Sequence, residues 1–354
     1  YYGRWVYKYE EALRHGAKAC IIIHTTPTAS YGWDVVRNSW GREAPFVKLE
    51  ANGQALALQG WVTREAGDKL LALAGKNVDD LLKASDRADF RPMDLGIQIH
   101  GHLVSKIREL ETRNVAAMFQ GSDPKLRDEY IIYSAHWDHL GIGAPVNGDA
   151  IYNGAIDNGT GCAVLLELAR VWGQLERKPK RSVLFLSVTA EEGGLRGSEY
   201  YASHPLVPLA KTAVALNFDA LYPFGRAANV VITGAERTSV YPLAQQIARR
   251  LELAIAVDAQ PEAGHYFRSD HFMFAKVGVP AFSIEHATEF AGKPAGYGAS
   301  VYAEYNEKHY HQPSDEFQAD WDFTALQQAA EFGFLLGRDV GNAERLPARL
   351  GASH

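Results

Sequence analysis

The sequence predicts an α/β protein in two parts. A small N-terminal α/β module covers residues 1–88. A three-layer α/β/α domain with a mostly parallel mixed sheet covers 89–345, and a tail runs over 346–354. Three observations lead there. After residue 113, segments of strand character alternate with segments of helical periodicity, the order that builds a parallel sheet covered on both faces. The run Ser182-Val-Leu-Phe-Leu-Ser-Val-Thr189 is almost wholly apolar, as a strand buried on both faces requires. The stretch Ser85-Asp-Arg-Ala-Asp-Phe-Arg-Pro92 is polar and closes on proline, which marks a boundary.

In the first part, Trp5, Val6, Tyr9, Ala12 and Leu13 fall at helical spacing and end at Gly16, and Ala19 to His24 is a short buried strand. Phe46–Glu50 and Ala55–Gln59 flank Asn52-Gly53 and predict a hairpin. Thr63 is placed to cap a helix through Leu73, with a further helical stretch from Val78 to Ala84. In the second part, Gly96–Ile107 and Arg113–Phe119 read as a strand pair, Ile131–Ala135 as a strand and Gly159–Leu175 as a helix. Helix 195–203, strands 213–218 and 228–233, helix 238–251, strand 280–285 and helix 322–337 complete the pattern.

Composition narrows the function classes. With 354 residues, 47% hydrophobic and 22% charged, the chain has ordinary globular make-up and room for a large core. A formal net charge of −6, without Lys/Arg runs, argues against nucleic acid as partner. No stretch approaches the ~20 apolar residues of a spanning helix. Cys20 and Cys162 stand far apart and read as small core residues rather than a bridge.

Polar groups collect where apolar strands end. In Ser134-Ala-His136-Trp-Asp138-His139-Leu-Gly141, a strand delivers His136 and Asp138 to its end, an imidazole beside a carboxylate that orients it. Asn153-Gly-Ala-Ile-Asp157-Asn-Gly-Thr-Gly161 offers a carboxylate on a glycine-rich turn, although Asp157 would serve equally as a helix cap. Thr189-Ala-Glu191-Glu192-Gly-Gly ends the most apolar strand with two acids; unless this is simply a solvated loop, such charges need a cation. Asp219 closes Ala215-Leu-Asn-Phe, and His311 lies in Tyr310-His-Gln-Pro-Ser-Asp-Glu316; alone, each is an ordinary turn or surface residue. Together His136, Asp157, Glu192, Asp219 and His311 form an N/O donor set suited to zinc, with cobalt or manganese as substitutes. Five ligands exceed the needs of one catalytic zinc and suit two ions ~3.5–4 Å apart sharing a carboxylate. Glu191 stays free as general base.

The segments HWDHLG, NGAIDNGTG, TAEEGGLRGS, NFD and YHQPSDE, in that order, resemble the signature of the co-catalytic zinc aminopeptidases, metallopeptidase family twenty-eight, over about residues 96–340. The resemblance implies two zinc ions per chain. Asp157 would bridge them, His136 and Asp219 would complete one site, and Glu192 and His311 the other. Glu191 would activate water, Asp138 would orient His136, and Tyr266 in Gly264-His-Tyr-Phe-Arg-Ser-Asp270-His271 would stabilise the oxyanion. Asp270 and His271 would support the ligands, and His139, His265 and His309 would take no catalytic part. Residues 1 to about 88 are similar to the later part of a protease-associated domain, which implies further chain before Tyr1.

The expected activity is aminopeptidase hydrolysis of peptides. Relatives that are carboxypeptidases of the glutamate type, glutaminyl cyclases or non-catalytic receptors supply the rivals, and Arg196 and Arg268 are the candidate grips for a substrate carboxylate. Family members with this insertion are commonly exported, so the expected location is periplasmic or secreted. The oligomeric state is left open.

Overall fold

The computed structural model describes residues 1–41, 43–48, 56–258, 261–286 and 288–350. The chain divides into two compact units: Tyr1–Asp34 with Leu49–Glu111, and Val35–Lys48 with Thr112–His354.

The smaller unit begins with helix α1 (Trp5–Arg14) and strand β1 (Ala19–Ile23). A short turn, α2 (Thr26–Ala29), follows, and helix α3 (Trp33–Ser39) carries the chain out of the unit. Strand β2 (Leu58–Val62) and helices α4 (Arg64–Ala72) and α5 (Val78–Ser85) complete it. The expected hairpin over 46–59 falls in part on residues outside those described. Asn52-Gly53 lies outside the described residues, and β2 pairs in parallel with β1, Ala19 opposite Leu58. Parallel strands need a long crossover, and the chain from Thr26 onward provides it. Thr63 caps α4 as expected, its hydroxyl accepting from Ala66 N at 3.2 Å.

The larger unit holds a five-stranded sheet. Its strands are β3 (Val115–Phe119), β4 (Tyr130–His136), β7 (Ser182–Val188), β8 (Thr212–Asn217) and β11 (Ala281–Ser283), in spatial order β11-β8-β4-β7-β3. Only β3, at the edge, runs antiparallel. Strands β5 (Gly141–Val146) and β6 (Asp149–Tyr152) make a hairpin above it. Strands β9 (Asn229–Val231), β10 (Ala254–Ala256) and β12 (Glu285–His286) form a small side sheet.

Helices α6 (Gly161–Gly173), α8 (Tyr241–Arg250) and α11 (Thr324–Asn342) pack one apolar cluster around Tyr133, Trp172, Phe218 and Phe332. Helices α7 (Arg196–Ser203) and α9 (His271–Lys276) cover the other face around Ile132, Leu186, Tyr201 and Phe274. Helix α10 (Tyr297–Lys308) leads to the loop carrying His311. The central strands are buried on both faces, which is why β7 reads as one apolar run.

Three expectations need correction. Gly96–Ile107 forms no strand; Val104 and Ile107 stand 84% and 94% exposed, and alternating apolar residues make a strand only where a neighbour takes their backbone bonds. The boundary at 88/89 falls inside the smaller unit, which continues to Glu111, while Val35–Lys48 belongs to the larger one. The tail at 346–354 is docked over its described part: Ser239 N donates to Ala348 O at 2.9 Å and Leu350 N to Arg237 O at 2.8 Å.

Candidate metal centre

Strands β8, β4 and β7 are parallel neighbours, so their carboxyl ends open at one place. His136 ends β4, Glu191 and Glu192 follow β7, and Asp219 follows β8. His136 is 1% exposed. Its Nε2 stands 3.1 Å from Asp219 Oδ1, 3.2 Å from Asp157 Oδ1 and 4.0 Å from Glu191 Oε2. Its Nδ1 stands 3.1 Å from the backbone oxygen of Asp138.

Asp157 sits in an irregular turn, Ala155–Thr160, before α6. The peptide that follows it is cis. The carboxylate of Asp315 holds this turn, accepting from Ile156 N at 2.9 Å and Asp157 N at 3.1 Å. The second oxygen of Asp157 faces elsewhere: Oδ2 is 3.3 Å from His311 Nε2, which is 3.1 Å from Glu192 Oε2. One carboxylate therefore touches two separate donor groups.

The loop after β7 is held by Asp138. Its carboxylate accepts from Glu191 N at 3.0 Å and Glu192 N at 3.3 Å, and lies 3.8 Å from His136 Nδ1. Asp138 thus stands against His136 and also holds the glutamate loop. Its carbonyl faces the imidazole, while its carboxylate fixes the two glutamates. Asp219 Oδ2 accepts from Ser269 Oγ, and Asn217 ties Ser134 and Ser269 together at 2.7 Å each. Asp270 is fully buried and accepts from Ser198 Oγ at 2.5 Å. Burial pushes its carboxyl up to about 7, with His136 opposing.

His311 has φ +57°, a left-handed backbone unusual for a non-glycine residue. Asn38 donates to its carbonyl at 3.2 Å, and Ser39 Oγ meets Nδ1 at 2.6 Å. These contacts come from α3, far away in sequence, and no local signal announces them.

Electrostatics follow from packing acids together. Burial opposes charge on Asp157, but the imidazoles of His136 and His311 outweigh it and hold its carboxyl well below the usual range. Burial drives Glu191 the other way, well above it; Asp219, Glu192 and Asp270 add to the rise and His136 opposes it.

The donor set fits metal coordination. Glu192 Oε1, His311 Nε2 and both ring nitrogens of His139 are buried without an aligned hydrogen bond, although nitrogen and carboxylate oxygen approach within 2.7–3.1 Å. His311 Nε2, unaligned with Glu192 Oε2, keeps a lone pair that a cation beside that oxygen could take, and groups of three donors stand close enough to share an ion. His136, Asp157 and Asp219 make one such group, and His139, Asp157 and Glu192 a second, with His311 beside the latter.

Three further residues bear on the site. Tyr266 packs on Gly234 with Arg237 over its ring; burial raises its phenol, and the charges bearing on it are Arg349, Arg237 and Glu236. Tyr310 lies 4.0 Å from the His311 ring, centroid to centroid. Burial lifts its phenol well above 10, and the charges acting on it are Asp157, Glu192, Arg268 and Glu191. Tyr310 is therefore a further candidate phenol, beside a site histidine. The signal was present in Tyr310-His311, where it stands directly before a site histidine. His139, given no part above, stands 2.7 Å from Glu192 Oε1.

The sequence profile of peptidase family M28 matches residues 114–333, a span that contains His136, Asp157, Glu191, Glu192, Asp219 and His311. The chain is 36% identical over 133 residues to aminopeptidase NAALADL1 of Mus musculus, 36% of this chain and 15% of that protein. It is 27% identical over 196 residues to leupeptin-inactivating enzyme 1 of Streptomyces exfoliatus, 53% of this chain and 39% of that protein. The matches thus span well under half of these curated relatives. The solved aminopeptidase from Aneurinibacillus sp. strain AM-1 superposes with a TM-score of 0.54 at 20% identity, over 97% of this chain and 68% of that one, and so shares the fold. With the profile covering more than half of its length and the strand-end donor set inside the matched span, the chain belongs to peptidase family M28.

Proposed function

We propose that this chain is the catalytic part of a dinuclear zinc exopeptidase that releases N-terminal residues from peptides. The observation that carries the reading is Asp157, with Oδ1 facing His136 and Oδ2 facing His311. His136 and Asp219 would hold one zinc, Glu192 and His311 the other, and Asp157 both. When bound, the two ions supply Lewis acidity toward the scissile carbonyl and toward water.

The remaining steps belong to the protein. Glu191 lies beside this set without being needed as a ligand, and its burial raises its proton affinity. It takes the proton of the attacking water and returns it to the leaving amine. The Tyr310 hydroxyl donates to the oxyanion that develops on the carbonyl. Asp138 keeps Glu191 in place through the backbone. All these side chains come from the larger unit.

A second reading, a carboxypeptidase of the glutamate type, would need Arg268 or Arg196 to grip a substrate carboxylate, and Arg268 already donates to Ala263 O from Nε at 3.1 Å and Nη2 at 2.6 Å. Arg196 does not support it, since Glu199 and the carbonyls of Gly193 and Pro45 engage it. An exported location, periplasmic or secreted, belongs to the same proposal and rests on resemblance alone. No helix among the described residues is long and apolar enough to cross a membrane.

The deciding experiment compares hydrolysis of an aminoacyl p-nitroanilide with that of an N-blocked dipeptide, alongside zinc analysis. Cleavage of the anilide with two zinc ions per chain is the expected result. Cleavage of only the blocked dipeptide overturns the aminopeptidase reading, and one zinc per chain overturns the dinuclear one.

A further inference from the structure

The two oxygens of Glu192 keep different company. Oε2 is 3.1 Å from His311 Nε2, on the side where Asp157 Oδ2 also lies. Oε1 is 2.7 Å from Nδ1 of His139. His139 is tightly placed. Its ring stands edge-on to His311, with centroids 5.6 Å apart and planes at 85°. It also rests on Gly154, where φ is +67° and a side chain would run into the His139 ring and the carbonyl of Asp157. The glycine makes room for the imidazole.

The oxygens of one carboxylate point apart. A cation taken by Oε2 therefore leaves Oε1 buried and in need of a donor, and an unmet need of that kind costs about 1–3 kcal/mol. The close ring N–H at Oε1 is that of His139. Both atoms are buried, and neither has another hydrogen-bond partner among the described residues.

We propose that His139 is a positioning residue of the metal centre, donating from Nδ1 to Glu192 Oε1 and so presenting Oε2 to the cation shared with His311 and Asp157. This rests on the two-cation reading of the site. Histidine usually stands on the metal side of such a pair, with a carboxylate behind it. Here the order is reversed, and the imidazole supports the carboxylate.

The test is zinc titration of the purified chain against a chromophoric chelator, which reads both affinities without reference to turnover. Wild-type protein binds two ions. H139A weakens one of them by about 10–100-fold, the usual effect of losing a supporting partner, and leaves the other unchanged. H139N keeps an amide N–H near the Nδ1 position and restores most of the loss. Equal melting temperatures of the metal-free H139N and wild-type proteins guard against a folding artefact. Unchanged affinities in H139A overturn the proposal. So does complete loss of one ion in both variants, which makes His139 a ligand. A wild-type chain that takes up fewer than two ions overturns the functional reading itself, and this inference with it.

Discussion

The carboxylate of Asp138 accepts from the backbone N–H of Glu191 at 3.0 Å and, through its other oxygen, from that of Glu192 at 3.3 Å. One acid thus positions the proposed base and a proposed ligand without touching either side chain. D138A removes both acceptors. A loss of about 10–100-fold in kcat is expected, the scale of an outer partner, with a smaller loss in D138N, which retains one oxygen. Wild-type kcat in D138A would show that the loop holds its shape unaided.

Glu191 stands 4.0 Å from His136 Nε2, while the other acids of the cluster suffice as ligands. E191A should keep both zinc ions and lose about 10²–10⁴-fold in kcat, the usual contribution of a positioned base. Metal analysis beside steady-state kinetics separates the roles. Loss of zinc makes Glu191 a ligand, and unchanged turnover removes it from the mechanism.

Tyr310 and Tyr266 make a paired comparison. Y310F removes the phenol set among Asp157, Glu192 and Glu191 and should lower kcat by about 10²–10³-fold with little change in KM. Y266F removes a hydroxyl under the influence of Arg349 and Arg237 and should leave kcat within a few-fold of wild type. The reverse outcome would restore Tyr266 to the role that the sequence suggests for it.

Stability should depend on zinc. Asp157, Glu191, Glu192 and Asp219 converge around His136 and His311, and like charges so close repel until a cation joins them. Zinc at 100 times its dissociation constant adds about 2.7 kcal/mol for each site that only the folded chain forms. The melting temperature should fall on chelation and rise with zinc concentration. A melting curve indifferent to zinc would contradict the metal centre.

A packing test is independent of the site. Gly337 on α11 lies against the hydroxyl of Tyr133, which is fully buried and donates to Gly333 O at 2.8 Å. The added methyl of G337A has no space, and a destabilisation of about 1–3 kcal/mol is expected, read from denaturant unfolding at constant zinc. An unchanged midpoint would mean that α11 shifts freely.

Much of this was legible in the residues. The apolar run from Ser182 marks a central strand because burial on both faces leaves no polar position. The acids after it mark a site because charge at the end of such a strand needs a partner. Where local pattern needed a distant neighbour, it misled. Gly96–Ile107 has the alternation of a strand but forms none, and the parallel pairing of β2 with β1 is announced by no local turn.

By itself, the sequence determined the class of fold and the family motifs and picked out five residues that the structure brings together, because strand-end acids and glycine-rich turns are written locally. Tertiary structure decided how they act together. It turned the oxygens of Asp157 toward different histidines, set Tyr310 against His311, placed Ser39 behind His311 and brought His139 to Glu192. These are relations across strands β4, β7 and β8 and the loops above them, and side-chain direction at a strand end is fixed by packing against neighbours remote in the chain.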